Sequence, residues 1–300
     1  MDVITDILNT LRFNGNVFIH SNFSGQWGAQ FQAVNLPVFH CVLLGSCWIK
    51  SDHEESFIEL HEGDVCFLAN GIGHTIASSP TSNCRKTEII PGQICIKTDV
   101  ADDQAETRIL CGIFHSDYGF NHPIFSTLPE MMHIAFSKDV NGHSWGQHAA
   151  YAIDNAINIK SPGLSALTDR LYEILFIQIL QRFFYQKTDA RSFYSNHRSP
   201  RIHRVLKAIH TDPAADWSLD IMADLAHMSR SAFTSNFREL VGVSPMAYIT
   251  SWRMLKARSL VQTTGLPLKT IAQKVGFRTQ SGLNKAYKQF FGISPKNLRK

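Results

Sequence analysis

The chain has 300 residues, 44% hydrophobic and 18% charged, with 29 Lys and Arg against 25 Asp and Glu. That length suits about two domains of roughly 100–200 residues, and the composition is that of a chain able to bury real cores. The most apolar stretch, LYEILFIQIL, carries Glu173 and Gln178. No run therefore approaches the ~18 uninterrupted apolar residues of a membrane span. The opening MDVITDILNT is acidic where a secretion signal is basic, so a cytoplasmic protein without a membrane partner is expected.

Residues 17–135 are poor in helical periodicity and rich in short apolar runs: FHCVLLGSCWI, SFIEL, GDVCFLANGIGH and RILCGIF. Gly, Asn and Pro separate them, which predicts an all-β sandwich or barrel. Cys41, Cys47, Cys66, Cys84, Cys95 and Cys111 all fall within the first 111 residues. None has CxxC spacing, and cytosolic thiols stay reduced, so a disulfide framework is not expected. Small buried side chains on strands account for most of them. Cys84 differs: it stands in the polar stretch SSPTSNCRKTE beside Arg85 and Lys86, cations that would lower its pKa and raise its reactivity.

From residue 160, SPGLSALTDRLYEILFIQILQRFFYQ places Leu164, Leu167, Leu171, Ile174, Leu175, Leu180 and Phe183 at helical spacing. This apolar surface is broader than one buried stripe requires. Packing on the preceding domain and a share in dimerisation both account for it. KTDARSFYSNHRSP then reads as a polar linker.

Charge divides the chain. Residues 199–300 hold 16 Lys and Arg against 5 Asp and Glu, a balance of +11, and no acid follows Glu239. Such one-sidedness points to a polyanionic partner, and no basic amphipathic helix with bulky aromatics accompanies it to favour a membrane surface. A repeat sharpens the point: Gly242-Val243-Ser244-Pro245 returns fifty positions later as Gly292-Ile293-Ser294-Pro295. Before the first, Ser218 can cap a helix bearing Leu219, Met222, Ala223 and Ala226; HMS breaks it, and Ser229 caps a second with Phe233, Phe237 and Leu240 on one face. Before the second, Leu268, Ile271, Ala272 and Val275 form a helix, Gly276-Phe277 the turn, and TQSGLNKAYKQFF a helix with Leu283, Tyr287 and Phe290 inward. Each copy is a helix-turn-helix. Between them a linking helix opens at Pro245, with Tyr248, Ile249, Trp252, Leu255 and Leu260 apolar. The outward face of the first copy's second helix carries Arg230, Ser231, Thr234, Ser235 and Arg238; the other carries Gln280, Ser281, Asn284, Lys285 and Lys288. These groups suit base edges and phosphates in a major groove. Gly-x-Ser-Pro ends each such helix and starts the next segment.

From about Pro200 to Lys300 the sequence resembles the DNA-binding domain of AraC/XylS-type transcription regulators. Two stretches carry the resemblance: SPRIHRVLKAIHTDPAADWSLDIMADLAHMSRSAFTSNFRELVGVSPMAYITSWRMLKARSLV and IAQKVGFRTQSGLNKAYKQFFGISP. It implies two recognition helices in successive major grooves, about 34 Å apart. By that resemblance Ser231, Thr234, Ser235, Gln280, Ser281, Asn284 and Lys285 face bases, while Arg230, Arg238 and Lys288 hold phosphates. Gly282 departs from the family, standing where a larger residue is usual and weakening its helix by ~0.5–1 kcal/mol; Leu298 replaces a usual Tyr. The stretch Gly63 to His74 matches the second cupin motif, with Ala69 in the Pro position. With FHCVLLGSCWI and LCGIFHSDYGFNHPIFSTLPE it resembles the cupin-type sensor domain fused to many such regulators.

Cupin enzymes hold metal with a His-x-His pair, which this chain lacks; near the first motif only His40 is present. One or two imidazoles make a poor cage, so neither a metal, another cofactor nor an enzyme activity is expected. His40 and His74 read as buried structural histidines or as effector contacts. Cys111-Gly112 lies on a strand phrase common in these domains.

The expected architecture is α+β and multidomain: an N-terminal cupin or jelly-roll β-barrel over 1–155, a helical connector and linker over 156–198, and an all-α domain with two helix-turn-helix units over 199–300. The expected function is sequence-specific regulation of transcription, as activator or repressor, with double-stranded DNA as partner, a small-molecule effector, a homodimeric state and RNA polymerase as a further partner. His40, His74, Cys84 and Cys111 are the candidate sensor residues. Alternatives are a redox-responsive regulator using Cys84 and Cys111, a metal-dependent cupin enzyme, and a non-specific DNA-coating protein.

Overall fold

The structure is a computed structural model that describes residues 3–11, 13–90, 96, 100–116, 120, 122–135, 145–158, 162–186 and 199–298. Cys95 and the linker expected over 187–198 lie outside the described residues. Two compact units divide the chain. The described parts of 1–12, 117–127 and 184–300 form a helical unit, which takes in α1 (Val3–Leu11) and α2 (Pro123–Ser126). The described parts of 13–116 and 128–183 form a strand-rich unit.

In the strand-rich unit the strands are β1 (Asn14–Phe23), β2 (Gly28–Phe31), β3 (Val38–Leu44), β4 (Ser46–Ser51), β5 (Ile58–His61), β6 (Asp64–Leu68), β7 (His74–Ala77), β8 (Arg85–Thr87), β9 (Thr107–His115) and β10 (Met132–Ala135). They form two five-stranded sheets, ordered β1-β9-β3-β6-β10 and β5-β4-β7-β2-β8. Pairing is antiparallel except where β2 runs parallel to β8.

Side chains alternate along a strand, and that alternation sorts β3. Val38 and Val42 enter the core shared by both sheets, with Ile109, Cys111 and Ile113 of β9, Cys66 and Leu68 of β6, and Ile49 and Ile76 of the other sheet. His40 shares that inward side. Phe39 faces the opposite way, against Phe114 and Tyr172. Two helices complete the unit, α3 (Trp145–Asn158) and α4 (Leu164–Gln186). On α4, Tyr172, Leu175, Phe176, Ile179, Leu180 and Phe183 are buried, and Phe176 packs on Phe13, Phe67 and Phe114. Leu167 and Ile174, seven residues apart on the same helix, remain 53% and 43% exposed. The broad apolar surface is thus half buried and half open.

In the helical unit, α5 (Pro200–Thr211) leads into α6 (Leu219–Leu225) and α7 (Arg230–Val241), then α8 (Pro245–Thr263), then α9 (Leu268–Lys274) and α10 (Gln280–Phe291). Four of these helices start at a hydroxyl cap, while Ser199 and Pro267, before α5 and α9, make no side-chain cap bond. Ser218, Ser229, Ser244 and Thr279 accept hydrogen bonds from the backbone N–H of Ile221, Ala232, Ala247 and Gly282. The repeated Gly-x-Ser-Pro spans the C-terminal stop and the next N-cap: Gly242 and Gly292 take the left-handed φ of 81° and 76° that ends α7 and α10. Helix α8 serves both pairs. Its Tyr248 meets Phe237 of α7, while its Met254, Ala257 and Val261 join Ile271, Ala272, Val275, Leu283 and Tyr287 in the core of the second pair, with Leu298 packed at the edge.

Candidate nucleic-acid interface and sandwich interior

The two recognition-type helices bury most of the expected faces, with Leu240 and Phe290 only half-buried. Phe233 and Phe237 of α7 and Leu283 and Tyr287 of α10 are fully buried. The opposite faces present Arg230, Ser231, Ser235 and Arg238 on α7, and Gln280, Ser281, Lys285 and Lys288 on α10, all exposed. Thr234 and Asn284, equivalent positions in the repeat, are half-buried. Thr234 Oγ1 donates to the Arg230 carbonyl at 2.8 Å, leaving its oxygen lone pairs and methyl group for a partner. Asn284 Oδ1 is shielded from solvent, with no hydrogen-bond partner among the described residues. Arg230 is not a free cation: its Nε lies 3.1 Å from Asp220 Oδ1 on α6, an exposed pair. Gly282 has a local reason to be small. Its N–H reaches the Thr279 cap oxygen at 3.0 Å, and a Cβ there would stand 3.2 Å from that same oxygen.

One cluster in this unit went unseen in the sequence. Asp6 on α1 is buried, taking Lys256 Nζ at 2.6 Å and His210 Nδ1 at 2.9 Å. Tyr248 bridges to His210 Nε2 at 2.7 Å, and the His210 ring lies 4.1 Å from that of Trp252. Burial raises the Asp6 carboxyl, but the bonds from His210 and Lys256 outweigh it and hold the group below its ordinary value. Burial keeps His210 below the usual imidazole range in spite of Asp6, so it is neutral, donating from Nδ1 and accepting at Nε2. Val3, Ile7 and Leu11 at i, i+4, i+8 are the signal that marks α1 as a packed helix, and all three are buried.

In the strand-rich unit His40 of β3 and His74 of β7 meet across the sandwich, Nε2 to Nε2 at 2.8 Å, and His74 Nδ1 lies 2.7 Å from the Ile72 carbonyl. Burial first, then the neighbouring His74, holds His40 well below the ordinary imidazole value; burial pushes His74 down to about 4. Both are neutral near pH 7. Cys66 and Cys111 stand directly opposite His40 on the flanking strands β6 and β9. Burial pushes the Cys66 thiol up to about 12 and also raises Cys41, Cys47 and Cys111. Cys84 lies apart from them, exposed, with Sγ toward the Ser82 carbonyl at 3.4 Å. Its thiol is raised by partial burial, opposite to the direction expected from Arg85 and Lys86. Among the described residues no three His, Cys, Asp or Glu are arranged to hold a metal ion. The sandwich therefore does not fit a cupin metal: its two imidazoles spend their facing nitrogens on each other. Among the described residues no helix is long and apolar enough to cross a membrane.

Comparison with known proteins also divides the chain in two, with its cupin match taking in 2–12 and 117–127, which the structure groups with the helical unit. Residues 2–185 match the cupin family, and residues 222–300 match the helix-turn-helix domain. The chain is 25% identical over 304 residues to the HTH-type transcriptional regulator AlkR of Acinetobacter baylyi, covering all of this chain and 99% of that one. It is 25% identical over 301 residues to a putative AraC-like transcription regulator of Streptomyces lividans, covering all of this chain and 98% of that one. It is 26% identical over 301 residues to the RCS-specific HTH-type transcriptional activator RclR of Escherichia coli K12, covering all of this chain and 97% of that one. The chain belongs to the AraC/XylS family of transcription regulators, with an N-terminal domain of the cupin type.

Proposed function

We propose that this regulator binds a specific DNA site through α7 and α10 together, and that its sandwich binds a small-molecule effector that alters that binding. The observation that carries the DNA half is the repeat: two helices of equal length, each started by a hydroxyl cap, each ended by a left-handed glycine, each showing a polar face with two cations and no acid. Ser231, Thr234, Ser235, Gln280, Ser281, Asn284 and Lys285 read bases; Arg230, Arg238 and Lys288 set the register on phosphates. Asn284 can offer its carboxamide to an adenine only after rotating its shielded Oδ1 outward. Support for a small-molecule effector over thiol oxidation comes from the thiols, since the thiolate is the reactive species and it is disfavoured both in the buried Cys111 and in the exposed Cys84, whose thiol is also raised. The exposed Leu167 and Ile174 on α4 supply an apolar strip on which two copies pair. The relatives are regulators by name, and an effector must bind two states of the protein unequally to couple to DNA.

The test is competition between the protein's own promoter fragment and random DNA of equal length. A specificity ratio of at least ~10³ is expected of a specific regulator; a ratio near one identifies a DNA-coating protein instead.

A further inference from the structure

The charge of the helical unit is not shared between its two repeats. Residues 212–241 carry five acids, Asp212, Asp216, Asp220, Asp224 and Glu239, against Arg230 and Arg238. Residues 268–298 carry six cations, Lys269, Lys274, Arg278, Lys285, Lys288 and Lys296, and no acid. All six are exposed. Lys285 and Lys288 belong to the outward face of α10, and Lys274 in the last turn of α9 complements the dipole of its own helix. Lys269 and Arg278 have no such local account.

The repeat assigns both to one corner. Lys269 is the second residue of α9 and matches Asp220, the second residue of α6. Asp220 lies 3.1 Å from Arg230, the first residue of α7. By that equivalence Lys269 stands on the side of α9 that faces Gln280, the first residue of α10. Arg278 immediately precedes the Thr279 cap of the same helix. For folding, both cations carry the wrong sign, because the start of a helix favours acids and disfavours cations. Helix α6 has Asp220 in its first turn, whereas α9 has no acid there and carries Lys269 instead. An exposed corner that breaks a local rule without a structural gain asks for a function.

We infer that Lys269 and Arg278 hold DNA phosphates at the start of α10, so that the second unit is the electrostatic anchor on the duplex. In the first unit the matching corner is neutralised by Asp220 against Arg230, and that unit supplies less of the backbone affinity. This deepens the DNA reading above and rests on it. A recognition helix enters the major groove by its N-terminal residues, and cations just ahead of it meet the phosphates at the edge of the groove. Phosphate contacts of this kind fix position and add affinity without choosing among sequences.

The experiment measures the affinity of the full chain for its own promoter fragment and for random DNA across a fourfold range of salt. Each phosphate contact adds about 0.9 to the fall of log affinity with log salt, which is about 3.5-fold over that range. Lys269→Gln and Arg278→Gln are each expected to weaken both DNAs alike and to flatten the slope by about that increment. Arg278→Lys is expected to keep the native slope, since the charge is what the phosphate requires. Neither neutral variant should lower thermal stability, because each removes a cation from the positive end of a helix; a flattened slope then reports DNA contact and not folding. Slopes unmoved by both neutral variants overturn the assignment. So does a loss confined to promoter DNA, which would make these side chains base contacts. The two readings fail separately. A promoter-to-random ratio near one with both slopes flattened removes the specific site and keeps the corner. A high ratio with both slopes native removes the corner and keeps the specific site.

Discussion

The two helix-turn-helix units are the same device built with one residue's difference. Helices α7 and α10 are both 12 residues long and lie 50 positions apart, whereas α6 and α9, both 7 long, lie 49 apart. The second turn therefore holds one residue more. The turns open alike: Met228 N–H bonds the Ala223 carbonyl at 3.0 Å and Phe277 N–H the Ala272 carbonyl at 2.8 Å. The residue before each is left-handed, His227 with φ 51° and Gly276 with φ 83°. The insertion falls after that position and before the Thr279 cap, where it disturbs neither core. The stops and caps of α7 and α10 and the buried anchors repeat, although Ser218 caps α6 while Pro267 gives α9 no side-chain cap; the outward faces do not repeat. One shows Ser231, Thr234 and Ser235, the other Gln280, Ser281, Asn284 and Lys285, so the two units present different chemistry on one backbone.

Emptying a core position tests how far the units depend on each other. Phe233→Ala is expected to cost about 3–5 kcal/mol, and Leu283→Ala about 2–5 kcal/mol, read by urea unfolding. Because α8 lends one half to each core, either change should lower a single shared transition. Two separate transitions would show the units to be independent. Acid draws a second line, between the units and the sandwich. Within residues 218–298 the sole histidine is the exposed His227, while the sandwich buries a neutral pair. Below the ordinary histidine value of 6.5 the unfolded chain takes up protons that folded His74 refuses until about pH 4. Stability thus falls as pH drops through that window, by about 3 kcal/mol from His74, with His40 acting in the same direction. His227→Ala should leave that loss intact; a pH profile flat from 6.5 to 4 would contradict a neutral imidazole pair.

The turn residues provide the next test. A Cβ at Gly276 would stand 2.7 Å from Arg253 Nη2 and 3.0 Å from Ala214 Cα, on a left-handed backbone. Arg253 is held by the Pro213 and Ala215 carbonyls, each at 2.8 Å. Gly276→Ala should therefore destabilise by about 1–3 kcal/mol, whereas His227→Gly, which relieves a left-handed side chain while adding backbone freedom, should change thermal stability by less than about 1 kcal/mol. Equal effects would mean the two turns are not equivalent.

The helical unit was legible in the sequence because its signals are local. Ser218 and Ser229 announce starts, Gly242 and Gly292 announce stops, and apolar spacing names Phe233, Phe237, Leu283 and Tyr287 as inward, with Leu240 and Phe290 only half-buried. The sandwich was legible as strands from its short apolar runs, and His40 and His74 stood out by motif. Their contact did not, because it depends on which strands face each other across two sheets, a pairing no local pattern encodes. Asp6 was invisible for the same reason: its partners His210 and Lys256 lie more than 200 positions away. Nor could sequence show that burial raises Cys84 in spite of two adjacent cations, since exposure of a loop thiol is a property of the fold.

The smallest expected effect concerns a charge that the two units do not share. Arg230 is tied to Asp220 by an exposed pair, while its counterpart in the second unit is the uncharged Gln280. Asp220→Asn should alter thermal stability by less than about 1 kcal/mol, as is usual for such pairs. Its effect on DNA binding is distinguishable from stability. If Arg230 is proposed rightly as a phosphate contact that Asp220 partly withholds, freeing it steepens the fall of log affinity with log salt by up to about 0.9, the increment for one more neutralised phosphate. Arg230→Ala should shift the slope the other way. A slope unmoved by both substitutions would remove Arg230 from the interface and leave Arg238 as the phosphate anchor of the first unit, matching Lys288 in the second.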